Sequence, residues 1–403
     1  MPKKNRNNNS TNETDKFDNN ETFEAEVCDL LSDGRGVVKD HNGKSFFVSG
    51  VCLGEKGEFS IVALKGKYGE ARLVKLTGSS QHRIEPPCSF HGNQEGQCGG
   101  CPWMFMAYAE QLKMKQHRVE KTFSKMKFSK GLLDRAIKQI LPSDKTTGYR
   151  NRVQFKSDGE VLGYVSPNSA TIASVDDCII LNDKNRNTLK ALRATLPNAS
   201  WQVTNKKYRW QTLNIDDSIS ENEVSINKRL PFKQGNDFQN NTMKAWLSGR
   251  LNKMDRDLHV VELFCGSGNL TEVIASKSFE SITAVEVVDE AIAELDKKSL
   301  PNVNALKVDL FNEDGVSKLS KKLKPQILVL DPPRDGMKVK STLFDKKSSV
   351  EHIFYISCDL ATLARDVAEI CAGKYKLIEV QPLDLFPQTP HVALMVHLRK
   401  KAS

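Results

Sequence analysis

From residue 259 onward, apolar runs of five to eight residues alternate with helical patterns. The runs fall at 259–264, 281–288, 303–310, 326–330, 352–356, 377–382 and 392–398, and helix-like segments occupy 269–276, 289–298 and 361–371. Strands that alternate with helices predict a doubly wound parallel sheet. The last two runs are joined only by 383–391, too short for a helical crossover, so an antiparallel pair is expected at that end.

Upstream, the period changes to two. Alternating runs at 23–27, 36–38, 45–48, 58–62 and 70–74 are broken by Asp33-Gly34, Asn42-Gly43, Gly54-Glu55 and Lys67-Tyr68-Gly69. Short strands with turn signals about every 10 residues predict a small antiparallel barrel, an architecture that often binds oligonucleotides. A linker over 79–87 leads to an amphipathic stretch from 103 to about 128. That stretch and its continuation carry Lys113, Lys115, Arg118, Lys121, Lys125, Lys127, Lys130, Arg135 and Lys138 against Glu110, Glu120 and Asp134. Such a run is either a solvated helix face or a track for phosphates. Between 140 and 230, β-like runs (152–156, 161–165, 172–175, 208–214) alternate with polar turns, and Leu189, Leu192 and Leu196 mark one short helix. A helix is expected over 237–254. The architecture is therefore α/β throughout its larger part. A polar, disordered tail (1–21) precedes a β-barrel (22–78), a central mixed α/β domain (79–235) and a doubly wound, Rossmann-like domain (236–403).

Composition narrows the class. The 403 residues carry a formal charge of +9, which favours a polyanionic partner but also fits many soluble proteins. The polar start lacks an apolar leader and no run approaches a membrane span, so a cytoplasmic protein with no membrane partner is expected. In a reducing compartment, clustered cysteines among the nine point to metal or catalysis before disulfides.

Three loops at the carboxyl ends of the predicted parallel strands hold candidate chemistry. The first strand runs into Leu263-Phe264-Cys265-Gly266-Ser267-Gly268-Asn269, where glycines let backbone approach a ligand. The third glycine of a dinucleotide fingerprint is missing. Glu286, ending the second strand, is placed to accept from ribose hydroxyls, and Asp309 ends the third where an adenine amino group would lie. Gly266-x-Gly268 with these two acids suits S-adenosylmethionine, a nucleoside without phosphates. The fourth strand ends in Asp331-Pro332-Pro333-Arg334-Asp335-Gly336, a loop stiffened by its prolines. The fifth ends in Ser357-Cys358-Asp359, with Ser357 or Asp359 as helix cap; a thiol at a helix N-terminus is expected to have a lowered pKa. Beside a methyl donor, a thiolate can add to C6 of uracil and make C5 nucleophilic. Elsewhere, Cys88, Cys98 and Cys101, with Cys178 as fourth thiol, suit zinc or an iron–sulfur cluster.

These segments together resemble the RNA uracil-5 methyltransferases that carry a TRAM domain and an iron–sulfur cluster, most closely the 23S rRNA branch. The resemblance runs from Phe23 to Arg399. It includes Gly34-Arg35-Gly36, Cys98-Gly99-Gly100-Cys101, Gln111-Leu112-Lys113-x-Lys115, Tyr149-Arg150-Asn151, Phe232-Lys233-Gln234-Gly235-Asn236, the three loops above and Phe386-Pro387-Gln388-Thr389-x-His391-Val392. It implies a TRAM-like barrel that binds RNA and a class I methyltransferase domain. It also implies a [4Fe-4S] cluster on Cys88, Cys98, Cys101 and Cys178, with zinc the lesser candidate. S-adenosylmethionine contacts are implied for Gln234, Phe264, Gly266, Gly268, Asn269, Glu286, Asp309 and Asp331, and the nucleophile's role for Cys358. A monomer acting on rRNA, or alternatively tRNA, is expected.

Two departures stand out. The first cysteine spacing is longer than the family's, which an extra loop at 91–97 could absorb. The family also places a glutamate, the base for the C5 proton, where this chain has Ala393. Asp335, Asp359, Asp384, His391 or a water are the substitutes the sequence offers. Without one, the protein would bind or remodel RNA without turnover. An amino-group methyltransferase acting on adenine or guanine would draw only on Asp331-Pro332-Pro333 and would give Cys358 no task.

Overall fold

The computed structural model describes residues 21–205, 207–219, 223–228, 232–338 and 348–402. The tail expected over 1–21 lies, apart from Glu21, outside the described residues. The chain divides into two compact units, one ending at Arg83 and the other beginning at Ile84.

In the first unit, the period-two runs form β1 (Thr22–Glu26), β2 (Asp29–Leu30), β3 (Gly36–Lys39), β4 (Ser45–Val48), β5 (Lys56–Lys65) and β6 (Tyr68–Gly78). Their order in the sheet is β1-β5-β6-β4-β3-β2. β5 and β6 make a long hairpin whose tight turn starts at Gly66, with φ of +51°. The sheet is not wholly antiparallel as expected: β4 pairs with β6 in parallel, Ser45 opposite Tyr68, because β5 intervenes between them in the chain. Val38, Phe46, Val48, Val51 and Phe59 fill the interior. Beneath them the buried Glu55 carboxylate accepts from Arg83 Nε (2.6 Å) and the Cys52 N–H (2.7 Å). Burial pushes this carboxyl up, but Arg83 and the N–H groups of Cys52 and Ser80 bring it below its ordinary range.

The second unit opens with a buried turn, Trp103 to Met106, followed by α1 (Tyr108–Ser124) and α2 (Lys130–Ala136). The helix expected from 103 therefore starts five residues later. A mixed region follows, with β7 (Arg152–Ser157), β8 (Leu162–Val165), β9 (Ile172–Ser174), α3 (Asp183–Ala194), β10 (Gln211–Asp216) and β11 (Ser225–Ile226). Its strands are ordered β11-β10-β7-β8-β9.

The remaining elements are α4 (Asp237–Leu251), β12 (His259–Leu263), α5 (Thr271–Ala275), β13 (Ser281–Glu286), α6 (Asp289–Lys297), β14 (Val303–Lys307) and α7 (Glu313–Lys322). They are followed by β15 (Ile327–Leu330), β16 (His352–Ser357), α8 (Leu360–Ala372), β17 (Tyr375–Leu383) and β18 (Ala393–Lys400). The sheet order β14-β13-β12-β15-β16-β18-β17 is parallel through β16, and β18 runs antiparallel between β16 and β17. Both faces are covered, as the near-continuous apolar strands require. Leu263, Val285, Leu330 and Tyr355 pack toward one side with Leu363 and Val367 of α8, and Val260, Ile282, Val329 and Phe354 toward the other with Trp246 of α4 and Ile274 of α5. Asn151 joins the mixed region to α4, donating to the Gln234 carbonyl (2.8 Å) and Asp237 Oδ1 (2.7 Å).

Candidate active site

The carboxyl ends of β12, β13, β15 and β16 form one edge, and the candidate loops meet there. After β12 the chain turns through Phe264, Gly266 and Gly268 at φ of +63°, +54° and +89°. At Gly268 a Cβ would come within 2.5 Å of Leu295 Cδ1, so both the backbone angle and the space demand glycine. Phe264 holds a left-handed conformation that costs a non-glycine residue energy, and its ring lies 5.8 Å from that of Phe311. Glu286 organises this turn. One carboxylate oxygen accepts from the Gly266 N–H (3.1 Å), the other from Val287 (2.8 Å) and Val288 (3.1 Å). Asn269 exchanges amide hydrogen bonds with Asn240 of α4 (2.9 and 3.0 Å). Asp309 accepts from the Phe311 N–H (2.9 Å). Exposed apolar groups, Val287, Val288 and Phe311, border these acids.

Burial pushes Asp331, which follows β15, up to about 7. Its loop is fixed to α8 by a device not evident in the sequence. The buried Asp366 accepts from the Met337 N–H (2.9 Å) and from Tyr355 Oη (2.6 Å). Gly336, at φ of +73°, lies so close to α8 that a Cβ would come within 2.3 Å of Thr362 Cγ2.

Cys358 follows β16 directly and is exposed. Asp359, rather than Ser357, caps α8 by accepting from the Thr362 N–H (2.8 Å). The thiol's pKa is raised, not lowered as a capped turn would imply. Burial of the sulfur by surrounding protein outweighs the opposing hydrogen bond and charge of Arg334, and Asp331 adds to the rise. Arg334 thus reaches Cys358 from the neighbouring loop.

Opposite, Ala393 opens β18, its methyl buried with Leu383, Leu385 and Met395. Of the substitute bases, Asp335 stands 3.8 Å from Lys338, Asp359 holds the helix cap, and Asp384 is buried against Lys115. His391 is exposed; its N–H donates to Thr389 Oγ1 (3.3 Å), and Arg118 donates to the carbonyl of neighbouring Pro390. Of the basic run around α1, read as either a solvated helix face or a phosphate track, two cations are taken up inside the protein: Lys115 is wholly buried in its ion pair, and Arg118 donates to the 386–391 connection.

Cys88, Cys98, Cys101 and Cys178 line one cavity with His91, Met104 and Tyr164. All four are free thiols, and Tyr164 Oη donates to Cys178 Sγ (3.5 Å). Burial pushes Cys98 up to about 11 and raises Cys101 and Cys178 as well. The 91–97 loop closes through Cys98 N–H to the Phe90 carbonyl (2.7 Å) and Gly92 N–H to the Cys98 carbonyl (3.2 Å). The longer cysteine spacing thereby brings Cys98 back beside Cys88. His91 Nδ1 is buried without a hydrogen-bond partner. Among the described residues, no three His, Cys, Asp or Glu side chains are arranged to hold a single metal ion.

In the first unit, Tyr68 stacks on Phe47 (4.8 Å between centroids) and the Arg35 guanidinium lies over Phe47 (5.2 Å). Among the described residues, no helix is long and apolar enough to cross a membrane.

Comparison with known proteins gives the family and the fold. Residues 180–401 match the family model described as tRNA (uracil-5-)-methyltransferase. The chain is 41% identical over 385 residues to an uncharacterized RNA methyltransferase of Nitrosomonas europaea, covering 94% of this chain and 97% of the relative. It is 26% identical to the 23S rRNA (uracil(1939)-C(5))-methyltransferase of Francisella tularensis subsp. novicida, over 92% and 95% of the two chains. The fold is similar to that of Pyrococcus abyssi tRNA (uracil-54, C5)-methyltransferase, crystallised with S-adenosyl-L-homocysteine. The TM-score is 0.67 at 19% identity, with 93% of this chain and all of the other covered.

Proposed function

Because the chain belongs to the S-adenosylmethionine-dependent RNA uracil-C5 methyltransferase family, we propose that it methylates C5 of a uridine in 23S rRNA through a covalent adduct at Cys358. The observation that carries this is the placement of an exposed Cys358, hydrogen-bonded by Arg334, on the same sheet edge as the glycine turn and Glu286. Ribosomal RNA is favoured over tRNA by the higher identity to the Francisella 23S rRNA enzyme, 26%, than to the Pyrococcus tRNA enzyme, 19%.

S-adenosylmethionine, when bound, supplies an electrophilic methyl group. The Gly266–Gly268 turn would receive its backbone-facing side, Glu286 and Asp309 would accept from ribose and adenine, and Phe264, Asn269, Asp331 and Gln234 would complete the site. Cys358 would give its proton to water, with the charge of Arg334 favouring the thiolate, and its sulfur would bond to C6. The electron pair then makes C5 the nucleophile for the methyl group. Loss of the C5 proton re-forms the C5–C6 double bond and expels the thiolate.

The cysteine cavity supports the reading of an iron–sulfur cluster: its four thiols are free and partly buried around one cavity, and an unpartnered ring nitrogen lies among them. Cys88, Cys98, Cys101 and Cys178 would hold the cluster, which would tie the 88–101 segment to the loop before α3. Tyr68, Phe47 and Arg35 supply a stacking surface of the kind single-stranded RNA uses.

The reading is tested with methyl-labelled S-adenosylmethionine and unmodified 23S rRNA or tRNA. Label on C5 of uridine and an adduct abolished by Cys358→Ala are expected. No label and no adduct on either RNA would favour the alternative that Ala393 suggests, RNA binding without turnover.

A further inference from the structure

Resolution of the adduct needs a group that accepts the C5 proton, and Ala393 offers only a methyl. We propose that the imidazole of His391 is that base. The assignment rests on the uracil-C5 chemistry proposed above and adds to it the identity of the proton acceptor.

The placement comes from the strands. β16 and β18 pair antiparallel with Ser357 opposite Leu394, so continuing the ladder by one residue sets Cys358 against Ala393. His391 lies two residues before Ala393, in the connection that leads directly into β18, and unlike Ala393 it is exposed. Its own N–H donates to Thr389 Oγ1 and Arg118 donates to the preceding carbonyl, while Lys115 Nζ donates to the carbonyl of Phe386 earlier in the same connection (3.2 Å). Arg334 joins the two sites, because it hydrogen-bonds Cys358 and its charge also acts on His391.

Protonation state agrees with the role. Burial lowers the imidazole's pKa, as do the cations Arg334, Lys115 and Arg118; Asp359 opposes them. His391 is therefore neutral near pH 7, as a base must be. Of the other carboxylates, Asp359 is committed to the helix cap, Asp384 to Lys115 and Asp335 to Lys338, while Asp331, beside Cys358, is assigned above to the S-adenosylmethionine site. In the step assigned, C5 carries both its hydrogen and the new methyl while Cys358 Sγ is bonded to C6. A neutral ring nitrogen of His391 takes the C5 proton, the C–H pair becomes the C5–C6 double bond, and the C6–S bond breaks to return the thiolate. The imidazolium then gives its proton to water.

The test follows both hydrogens and methyls on one RNA, with uridine tritiated at C5 and S-adenosylmethionine carbon-14 labelled in its methyl. His391→Gln should still put methyl label into a covalent protein–RNA species, while tritium release falls about 10²-fold or more. Adding Ala393→Glu to His391→Gln should restore release and clear the adduct. In the wild type, tritium release should lose rate as pH falls through the lowered His391 pKa, below the ordinary 6.5, and this acid limb should move in the rescued double variant, where a carboxylate is the base. Tritium release by His391→Gln within about threefold of wild type would overturn the proposal, as would an acid limb that stays at the same pH in the rescued double variant. Wild-type protein that neither transfers methyl nor forms an adduct would instead overturn the underlying chemistry, and the base with it.

Discussion

Lys115 of α1 and Asp384, just past β17, form an ion pair in which neither side chain touches solvent, across 269 residues of sequence. Tyr108 Oη donates to the same carboxylate (2.7 Å), and Gln111 bonds Gln388 (2.8 Å), so one face of α1 anchors the whole 384–391 connection. Burial lowers the Lys115 pKa and Asp384 pulls it back up. Lys115→Met would leave a buried carboxylate without its cation. Breaking a buried pair on one side costs about 3–5 kcal/mol. Urea denaturation should show that loss, and the connection carrying His391 should lose activity more steeply than stability. A change under about 1 kcal/mol would mean the pair contributes no more than a surface one.

Glu262, on β12, is buried and accepts from Thr271 Oγ1 (2.6 Å). Burial pushes it up to about 8 from an ordinary 4.5, with Asp331 adding to the rise. Between those values the folded protein keeps a proton the unfolded chain has released, so stability falls as pH rises. The contribution is fully present below about 4.5 and gone above about 8. Glu262→Gln removes the titration while keeping a hydrogen-bond acceptor. Melting temperatures of variant and wild type should lie close at pH 5 and diverge in the variant's favour by pH 8. The divergence should correspond to a few kcal/mol, since each tenfold difference in proton affinity between folded and unfolded chain is worth about 1.4 kcal/mol. A constant difference across that range would refute the titration.

Much of this was legible in the chain. Alternating strands and helices after 259 mark the parallel sheet, and the short 383–391 connection marks its antiparallel end, because both follow from local period and loop length. The glycine turn, Glu286, Asp331 and Cys358 were locatable because strand ends collect on one edge of such a sheet. Three features were not. The raised Cys358 pKa depends on how closely other segments crowd the sulfur, which a capping motif does not encode. Asp366 reads as one more helix polar residue, yet it pins the Asp331–Gly336 loop through Met337 and Tyr355. Lys115 reads as one cation in a basic run, and only the distant Asp384 withdraws it from solvent.

The cysteine cavity makes a compositional prediction. Protein purified without oxygen should carry about four irons and four acid-labile sulfides per chain. Cys88→Ser, Cys101→Ser or Cys178→Ser should each lose most of both and absorb less near 400 nm. Cys371→Ser, on α8 and outside the cavity, should keep them. Stoichiometric zinc in place of iron would assign the same thiols to a different metal.

Arg334 offers a test of the nucleophile that needs no RNA. Burial raises the Cys358 thiol above its ordinary value of 9.0, while the Arg334 hydrogen bond and charge oppose the rise. Cys358 can be followed site by site by iodoacetamide alkylation and mass spectrometry in a Cys28→Ser variant, which lacks the other cysteine exposed as a residue. Half-maximal alkylation should fall above about pH 9, where the thiolate forms. Arg334→Met removes both opposing effects and should move the midpoint further up, slowing alkylation at pH 8. The same substitution should slow adduct formation with RNA, since fewer thiolates are present at any given pH. His391→Gln should leave the step that forms the C6–S bond intact, so the two variants separate attack from release. If Arg334→Met left both the alkylation midpoint and the adduct rate unchanged, Arg334 would have no part in activating Cys358.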